Sequence, residues 1–293
     1  MTFDGSPAQP ATAPEGRSTT TAPAWALPPT GAGRPARRRH PWLIAVSVVW
    51  AVVLLASAAY GVRRDEPTVR QQSSVAQALP TVDRAIADVV KAAAPAGAVF
   101  EITGYREVDR PCTLTPAWDG ARYERTAFLY VPAGQERALL DRIRAALPAR
   151  YDARVDKSGA RELTGDAGDF VAVRGNAGRA GEVRISADTG CRPLSRPVTE
   201  PQPTSATASR VPVETVLATL GAANPTWQTH RVDCRSGGSI WTVQADARPA
   251  PAALTALGDK DTVVARPDLR VYRNGIIART HDGVLTVTAT TGC

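Results

Sequence analysis

The sequence contains few of the residues from which metal sites are built. It has three histidines and four cysteines in 293 residues, and no two of the cysteines lie close together along the chain. A zinc site needs clustered ligands, such as CxxC pairs or histidines at helical spacing, because the protein must enclose the metal tetrahedrally. We therefore predict neither a metal nor any other cofactor.

Catalytic motifs are also missing. The sequence has no GxSxG, SxxK or HExxH pattern, so His230 and His281 lack a nucleophile or a carboxylate at a recognisable spacing. We interpret both as solvated or hydrogen-bonded histidines. Two carboxylate pairs, Asp166 with Asp169 and Asp259 with Asp261, lie in turn-like, glycine-rich sequence, where aspartate commonly bonds the backbone. The sequence thus favours a protein without enzyme activity.

Residues 42–62 lack charged side chains and contain nothing more polar than Ser47 and Ser57. At about 1.5 Å rise per residue, these roughly 21 residues reach about 32 Å as a helix, close to the ~30 Å hydrocarbon core of a bilayer. We predict a transmembrane helix over residues 41–62, with the lipid bilayer contacting residues 42–62. A signal peptide cleaved near Ala56-Ser57-Ala58 is the alternative, although this apolar run is longer than most signal sequences contain.

Arginines flank this run unequally. Four precede it, namely Arg34, Arg37, Arg38 and Arg39, whereas Arg63 and Arg64 follow it beside two acidic residues. Basic residues near a span are retained on the cytoplasmic side. We therefore expect a single-pass protein of the cell membrane, with a cytoplasmic N-terminus and with extracytoplasmic domains after the helix.

The N-terminal segment has no apolar periodicity. Residues 1–40 contain seven prolines among threonine, serine, glycine and alanine, which predicts a disordered cytoplasmic tail. The formal charge of the whole chain is +7. Because no basic run interleaved with aromatics occurs beyond the apolar segment, nucleic acid is not expected as a partner.

The chain beyond the apolar segment divides by composition. A polar stretch and a stretch rich in proline, serine and threonine bound two regions of alternating apolar pattern. The predicted parts are a stalk over 63–80, a first copy over 81–191, a linker over 192–210 and a second copy over 211–293.

These two regions repeat the same features in the same order, which is why we name them copies. Ile185–Cys191, ISADTGC, matches Val287–Cys293, VTATTGC, in kind at each position. The repeat indicates a duplication. The second copy is trimmed, because the amphipathic helix predicted over Glu136–Leu147 corresponds to only about Ala252–Leu257.

Each copy reads as a helix, two strands, a helix, and three or four further strands. This order predicts an α+β fold, with an antiparallel sheet and helices on one face in each of two tandem small domains. Parallel βαβ units are the weaker alternative, since only one helix per copy lies between strands.

All four cysteines follow the apolar segment, as expected for an oxidising exterior. Four cysteines allow three pairings. Each copy has one cysteine after its first strand and another at the end of its last strand, so the repeat selects Cys112 with Cys191 and Cys234 with Cys293.

Two surface features admit more than one interpretation. Arg174, Arg179 and Arg184 are either a patch for anionic envelope polymers or the charged edges of strands. The loop Ser236–Ser239 is either an anion-binding nest or a hairpin turn beside a disulfide.

Three classes of function remain open. The sequence favours a membrane-anchored, non-enzymatic binding or interaction module of the cell envelope, with a cell-wall or envelope protein as a possible partner. A transmembrane regulatory protein with a partner on the cytoplasmic tail is the first alternative. An anchored envelope enzyme is the second, and its signature would be a histidine and a carboxylate in one cleft.

The arginine cluster at residues 34–39, the Ala, Arg and Pro-rich composition and the strand ending Ala187–Cys191 together resemble single-pass membrane proteins of high-GC actinobacteria. The resemblance covers the layout from about Arg34 to Cys191. It implies a location in the cell envelope and brings no catalytic or binding residues with it.

Overall fold

The computed structural model describes residues 41–64, 73–115, 118–156, 162–200, 210–250 and 254–292, with the backbone alone at residues 41, 59–64, 115 and 118. The predicted tail over residues 1–40 lies outside the described residues. So do the arginines that set the predicted topology, Arg34, Arg37, Arg38 and Arg39, and the last cysteine, Cys293.

The chain divides into two compact units, residues 1–64 and residues 65–293. The first contains helix α1 (Pro41–Arg64), whose described side chains run from Trp42 to Ala58 and are exposed. No helix in the described part of the chain is long and apolar enough to cross a membrane. The structure therefore does not support the transmembrane helix predicted over residues 41–62.

The second unit has α+β architecture with two antiparallel sheets, as predicted. Its first part comprises α2 (Val75–Ala93), β1 (Val99–Ile102), β2 (Arg106–Thr115), β3 (Trp118–Tyr130), α3 (Glu136–Ala146), β4 (Arg154–Val155), β5 (Glu162–Asp166), β6 (Ala172–Ala177) and β7 (Glu182–Asp188). Its second part comprises α4 (Arg210–Thr219), β8 (Thr226–Asp233), β9 (Ser239–Ala247), a 3-10 turn (Leu254–Leu257), β10 (Thr262–Arg266), β11 (Leu269–Tyr272), β12 (Ile276–His281) and β13 (Val284–Thr291).

Both sheets have the same strand order. The first runs β1-β3-β7-β6-β5-β4, with β2 also paired to β3, and the second runs β8-β9-β13-β12-β11-β10. The last strand of each copy lies in the interior of its sheet. In the first sheet β7 lies between β3 and β6, and in the second β13 lies between β9 and β12. The helix α3 between β3 and β4 corresponds to the 3-10 turn between β9 and β10. This common order is what a duplication with a trimmed second copy would produce.

Helix α2 begins at Val75, within the stalk that the sequence predicts over residues 63–80. Residues 75–80 are helical although Pro80 lies inside the helix. The side chain of Gln77 accepts a hydrogen bond of 2.8 Å from the backbone N–H of Ser74, which stabilises the helix start. Val75 is fully buried, and burial of its side chain offsets part of the cost of the proline.

The predicted middle helix over Glu136–Leu147 is confirmed as α3, which ends at Ala146. Leu139, Leu140 and Ile143 on one face are buried in the core of the first copy. The amphipathic spacing therefore identified both the helix and the face that packs on the sheet.

The predicted linker over 192–210 is packed in its first half. Arg192 is 2% exposed and pairs through its backbone with Ala121 of β3. Leu194 and Val198 pack on a buried apolar cluster beside it. Arg192, Leu194 and Val198 thus attach this segment to the fold, although its composition predicts a linker.

The disulfide between Cys112 and Cys191 is present and confirms the first predicted pairing. Cys234 is also disulfide-bonded. Its predicted partner, Cys293, lies outside the described residues.

The two copies share buried residues and form one unit. Val232 and Ile240, from the hairpin of the second copy, belong to the core cluster of the first copy. The backbone N–H of Ile102 donates to Oγ1 of Thr242 at 3.0 Å. The copies are therefore not independent small domains joined by a flexible connection.

Candidate functional site

The outward side of the first sheet, opposite α2 and α3, carries a group of exposed arginines. Side chains alternate between core and solvent along β5, β6 and β7, as expected for strands with one buried face. We call this surface the arginine face, and it is formed by Arg106 of β2, Arg122 of β3, Arg174 of β6 and Arg184 of β7.

Two buried carboxylates lie among these arginines. Glu124 of β3 and Asp188 of β7 are directly opposite each other in the strand register, an arrangement that is unfavourable for like charges unless cations compensate. Glu124 accepts hydrogen bonds from Arg106 and, at 2.9 Å, from Arg184.

Asp188 has a matching pair of partners. It is bonded by Arg122 at 3.1 Å and by Arg174 at 2.6 Å. The carboxylate side chains are 5–9% exposed, whereas the four arginines are 32–61% exposed. The solvent-facing charge of this surface is therefore mostly guanidinium.

A shallow depression of about 340 Å³ lies between two of the arginines, with Glu162, Asn176 and Ser186 on its rim. Guanidinium groups have five donors in a planar fork that fits carboxylate and phosphate oxygens. Arg174 and Arg184 are each held by an acidic neighbour on one side, which fixes them in position. The arrangement is suited to binding an anionic group from solvent.

The predicted group Arg174, Arg179 and Arg184 is thus only partly brought together. Arg174 and Arg184 lie on the arginine face, whereas Arg179 lines a separate cleft of about 350 Å³ between the two copies. Arg179 forms an ion pair of 2.7 Å with Asp268 there. His281 lines the same cleft and lies 3.2 Å from Asp282, with both side chains exposed.

At this cleft, an ion pair between the buried Glu101 and the partly exposed Arg279 connects the copies. Glu101 of β1 is bonded by Arg279 of β12, by the hydroxyl of Tyr130 at 2.9 Å and by Oγ1 of Thr288 at 2.9 Å. The Glu101 carboxylate raises the pKa of Arg279, and burial raises the pKa of Tyr130. The cluster is internally satisfied and is suited to a structural role.

The predicted signature of an enzyme is met only in part. Nδ1 of His230 lies 3.0 Å from Oε2 of Glu200, so a histidine and a carboxylate do converge. Their side chains are only 7% and 14% exposed, and the same carboxylate is bonded by the buried Arg125. The pair is enclosed in the protein and shows no catalytic geometry with a nucleophile among the described contacts.

The other predicted candidates have local partners. Asp166 accepts a hydrogen bond of 2.8 Å from the backbone N–H of Gly168, and Asp259 pairs with Arg270 at 3.0 Å. Within the described ranges, no group of three or more His, Cys, Asp or Glu side chains could hold a metal ion. The loop Ser236–Ser239 is the hairpin turn between β8 and β9.

Sequence reasoning missed Arg106, Arg122, Glu124 and Asp188. The signal was present for Glu124 alone, because it lies in the strand that the sequence predicts at about residues 123–131. Arg122 and Asp188 each lie one residue outside a predicted strand. Arg106 could not be predicted in this way, since the sequence after it indicates turns rather than the strand β2.

Comparison with known proteins identifies no family. No protein-family model and no curated protein matches the chain. Among solved structures, the chain is similar to the crystal structure of a DUF4853 family protein from Actinomyces odontolyticus ATCC 17982, with 14% identity and a TM-score of 0.33, over 59% of this chain and 94% of that one. A similarity this distant supports no statement about fold or function.

Proposed function

We propose that the second unit is an extracytoplasmic, non-enzymatic binding module of the cell envelope that recognises anionic groups through the arginine face. One observation carries the proposal: four arginines cover Glu124 and Asp188 and hold nearly all of the solvent exposure of that cluster. Four guanidinium charges face two carboxylates, so the cluster keeps an excess of positive charge even with Glu162 on the rim of the depression.

The compartment in this proposal rests on cysteine chemistry. Disulfides persist in oxidising compartments and are rare in the cytosol. The bond between Cys112 and Cys191 and the bonded state of Cys234 support an extracytoplasmic location. A reporter that is active only outside the cytoplasm, fused after residue 293, should be active in cells.

Attachment to a membrane through residues 42–62 stays a prediction of the sequence. Carbonate extraction of a membrane fraction measures it directly. A chain that remains in the pellet supports the anchor, whereas a chain released into the supernatant contradicts it and leaves the binding proposal to be judged separately.

Binding is tested by sedimenting the full-length chain with envelope material from the cells that express it. Replacing Arg174 and Arg184 by glutamine should lower the bound fraction several-fold, because charged hydrogen bonds to the anion are lost. Glu124 and Asp188 each keep one arginine in this variant, so the sheet should remain folded.

The matched control replaces Arg137 and Arg142, which are exposed on α3 on the opposite side of the sheet. This double change removes the same charge and should leave sedimentation unchanged. An equal loss in both variants would mean that overall charge, rather than the arginine face, drives the binding.

A further inference from the structure

A second arginine site lies on the inward side of β3, at the contact between the copies and separate from the arginine face. The side chain of Arg125 is 1% exposed. It donates to Asp83 of α2 at 2.5 Å and to the backbone oxygen of Arg231 at 3.0 Å. The ring of Tyr105 lies 4.0 Å from the guanidinium carbon. The cation is thus held from several sides by both copies.

The remaining side of Arg125 is occupied by Glu200, a residue that belongs to neither a helix nor a strand. One of its carboxylate oxygens accepts a hydrogen bond from Arg125, and the other lies 3.0 Å from Nδ1 of His230. Both oxygens of one carboxylate are therefore bound by buried side chains, one from each copy.

The wall of this site is backbone. A Cβ atom at Gly104 would lie 2.9 Å from Oε2 of Glu200 and 2.9 Å from Cε1 of His230. A side chain at residue 104 would therefore force Glu200 or His230 to shift. Gly104 thus lies directly against the pair of Glu200 and His230.

Glu200 is not required to balance the charge of Arg125. Asp83 already forms an ion pair with that guanidinium, so two carboxylates face one cation. The second carboxylate is held against the repulsion of the first, which lowers the free energy that is lost when Glu200 detaches from Arg125. Consistent with this excess, burial and the nearby Glu200 both raise the pKa of Asp83, although Arg125 opposes them.

We propose that Arg125 and His230 form a binding site for a small monocarboxylate, and that Glu200 fills this site from within the chain as a built-in competitor. The ligand takes the place of the Glu200 carboxylate, with one oxygen on Arg125 and the other on His230. Residues 192–200 then lose their attachment at Glu200 while Arg192 keeps its own contacts to Ala121 and Thr189.

The experiment uses Glu200→Ala in the full-length chain, which removes the carboxylate that fills the site. Acetate is the probe. Thermal unfolding is followed with increasing sodium acetate and, in parallel, with sodium chloride at equal ionic strength. The variant should melt at a lower temperature than wild type. Acetate should restore about half or more of that loss in a saturable way, because a ligand that binds only the folded state stabilises it.

Wild type should respond at higher acetate concentrations than the variant, because the tethered Glu200 competes at a high effective concentration. The matched control is Glu182→Ala, which removes a partly exposed partner of Arg266, 3.3 Å away, at the cleft between the copies. Acetate should stabilise this control no more than chloride does.

Three results overturn the proposal: no acetate effect beyond chloride in Glu200→Ala, an equal effect in Glu182→Ala, or a wild type that never responds. A short glutamate peptide in place of acetate separates small acids from acidic chains, and a response to the peptide alone also contradicts the proposal. If Glu200→Ala does not fold, Glu200→Asp replaces it in the same titration, since its carboxylate falls one methylene short of Arg125.

Discussion

Glu101 and Arg279 form an ion pair that joins the first copy to the second. Glu101 lies on β1 and is 2% exposed, whereas Arg279 lies on β12 and is 29% exposed. Tyr130 and Thr288 also donate hydrogen bonds to the carboxylate. Removing the carboxylate leaves the buried hydroxyls of Tyr130 and Thr288 without this acceptor and Arg279 without its partner, which lowers stability.

Glu101→Ala should therefore lower the free energy of unfolding by about 1–3 kcal/mol. Urea denaturation of the purified chain measures this quantity. Glu162→Ala is the matched control, because Glu162 is an exposed glutamate of the same sheet, and its loss should change the free energy by no more than about 0.5 kcal/mol. Similar losses in the two variants would show that the pair does not hold the copies together.

Gly181 should be the most restrictive glycine at the contact between the copies. Its φ is +83°, and a Cβ atom there would lie 2.7 Å from Cγ2 of Val264 and 2.9 Å from the backbone oxygen of Val131. Gly181→Ala should destabilise the fold through both backbone strain and a steric clash. Thermal unfolding measures the combined effect.

Gly168→Ala separates the two causes. Gly168 has a φ of +87°, but a Cβ atom at this residue would have no described atom within 4 Å. This control should lose only the strain energy, about 1–2 kcal/mol, and Gly181→Ala should lose clearly more. Equal losses would indicate that Val264 moves aside without cost.

The disulfide between Cys112 and Cys191 closes a loop with a sequence separation of 79. The chain-entropy model assigns about 4 kcal/mol of stabilisation to a loop of this size. Replacing both cysteines by alanine should lower the midpoint of urea unfolding accordingly. A midpoint that stays unchanged would contradict a stabilising role for the bond.

The second predicted bridge is tested by peptide mapping without reduction. A peptide that joins Cys234 to Cys293 confirms the pairing inferred from the repeat. A peptide that joins Cys112 to Cys234 would contradict both the pairing and the bond in the structure.

Asp83 should give a distinct pH dependence. Burial raises the pKa of this carboxyl above the ordinary value for an aspartate, so the folded state binds a proton more tightly than the unfolded state does. Stability from this group is complete below the unfolded pKa and is lost as pH rises through the folded pKa. Asp83→Asn removes that loss.

The free energy of unfolding of Asp83→Asn relative to wild type should therefore increase as pH rises from about 4. Urea titrations of both chains at several pH values measure the difference, in which the other titrating groups largely cancel. A difference that is constant with pH would show that Asp83 has the same proton affinity in both states.

Much of the fold was readable from periodicity. The spacing of Leu139, Leu140 and Ile143 identified α3, and the matching endings Ile185–Cys191 and Val287–Cys293 identified the last strands of the two copies as equivalent. These features were accessible because each depends on neighbours in the sequence or on direct comparison of the copies.

The parts that could not be read depend on contacts between distant residues. The polar composition of residues 63–80 indicated a stalk, yet residues 75–80 belong to α2 and Val75 is buried. The composition of residues 192–200 indicated a linker, although Arg192 and Glu200 attach it to buried partners. The arginine face is assembled from four strands, and no local pattern reports which strands become neighbours.

Val232 and Ile240 of the second copy are buried in the core of the first copy. Because these side chains of the second copy complete the interior of the first, a chain with the first copy alone would leave apolar surface uncovered. In turn, Val99 and Tyr130 of the first copy pack with buried side chains of the second. Each copy is therefore part of the core of the other.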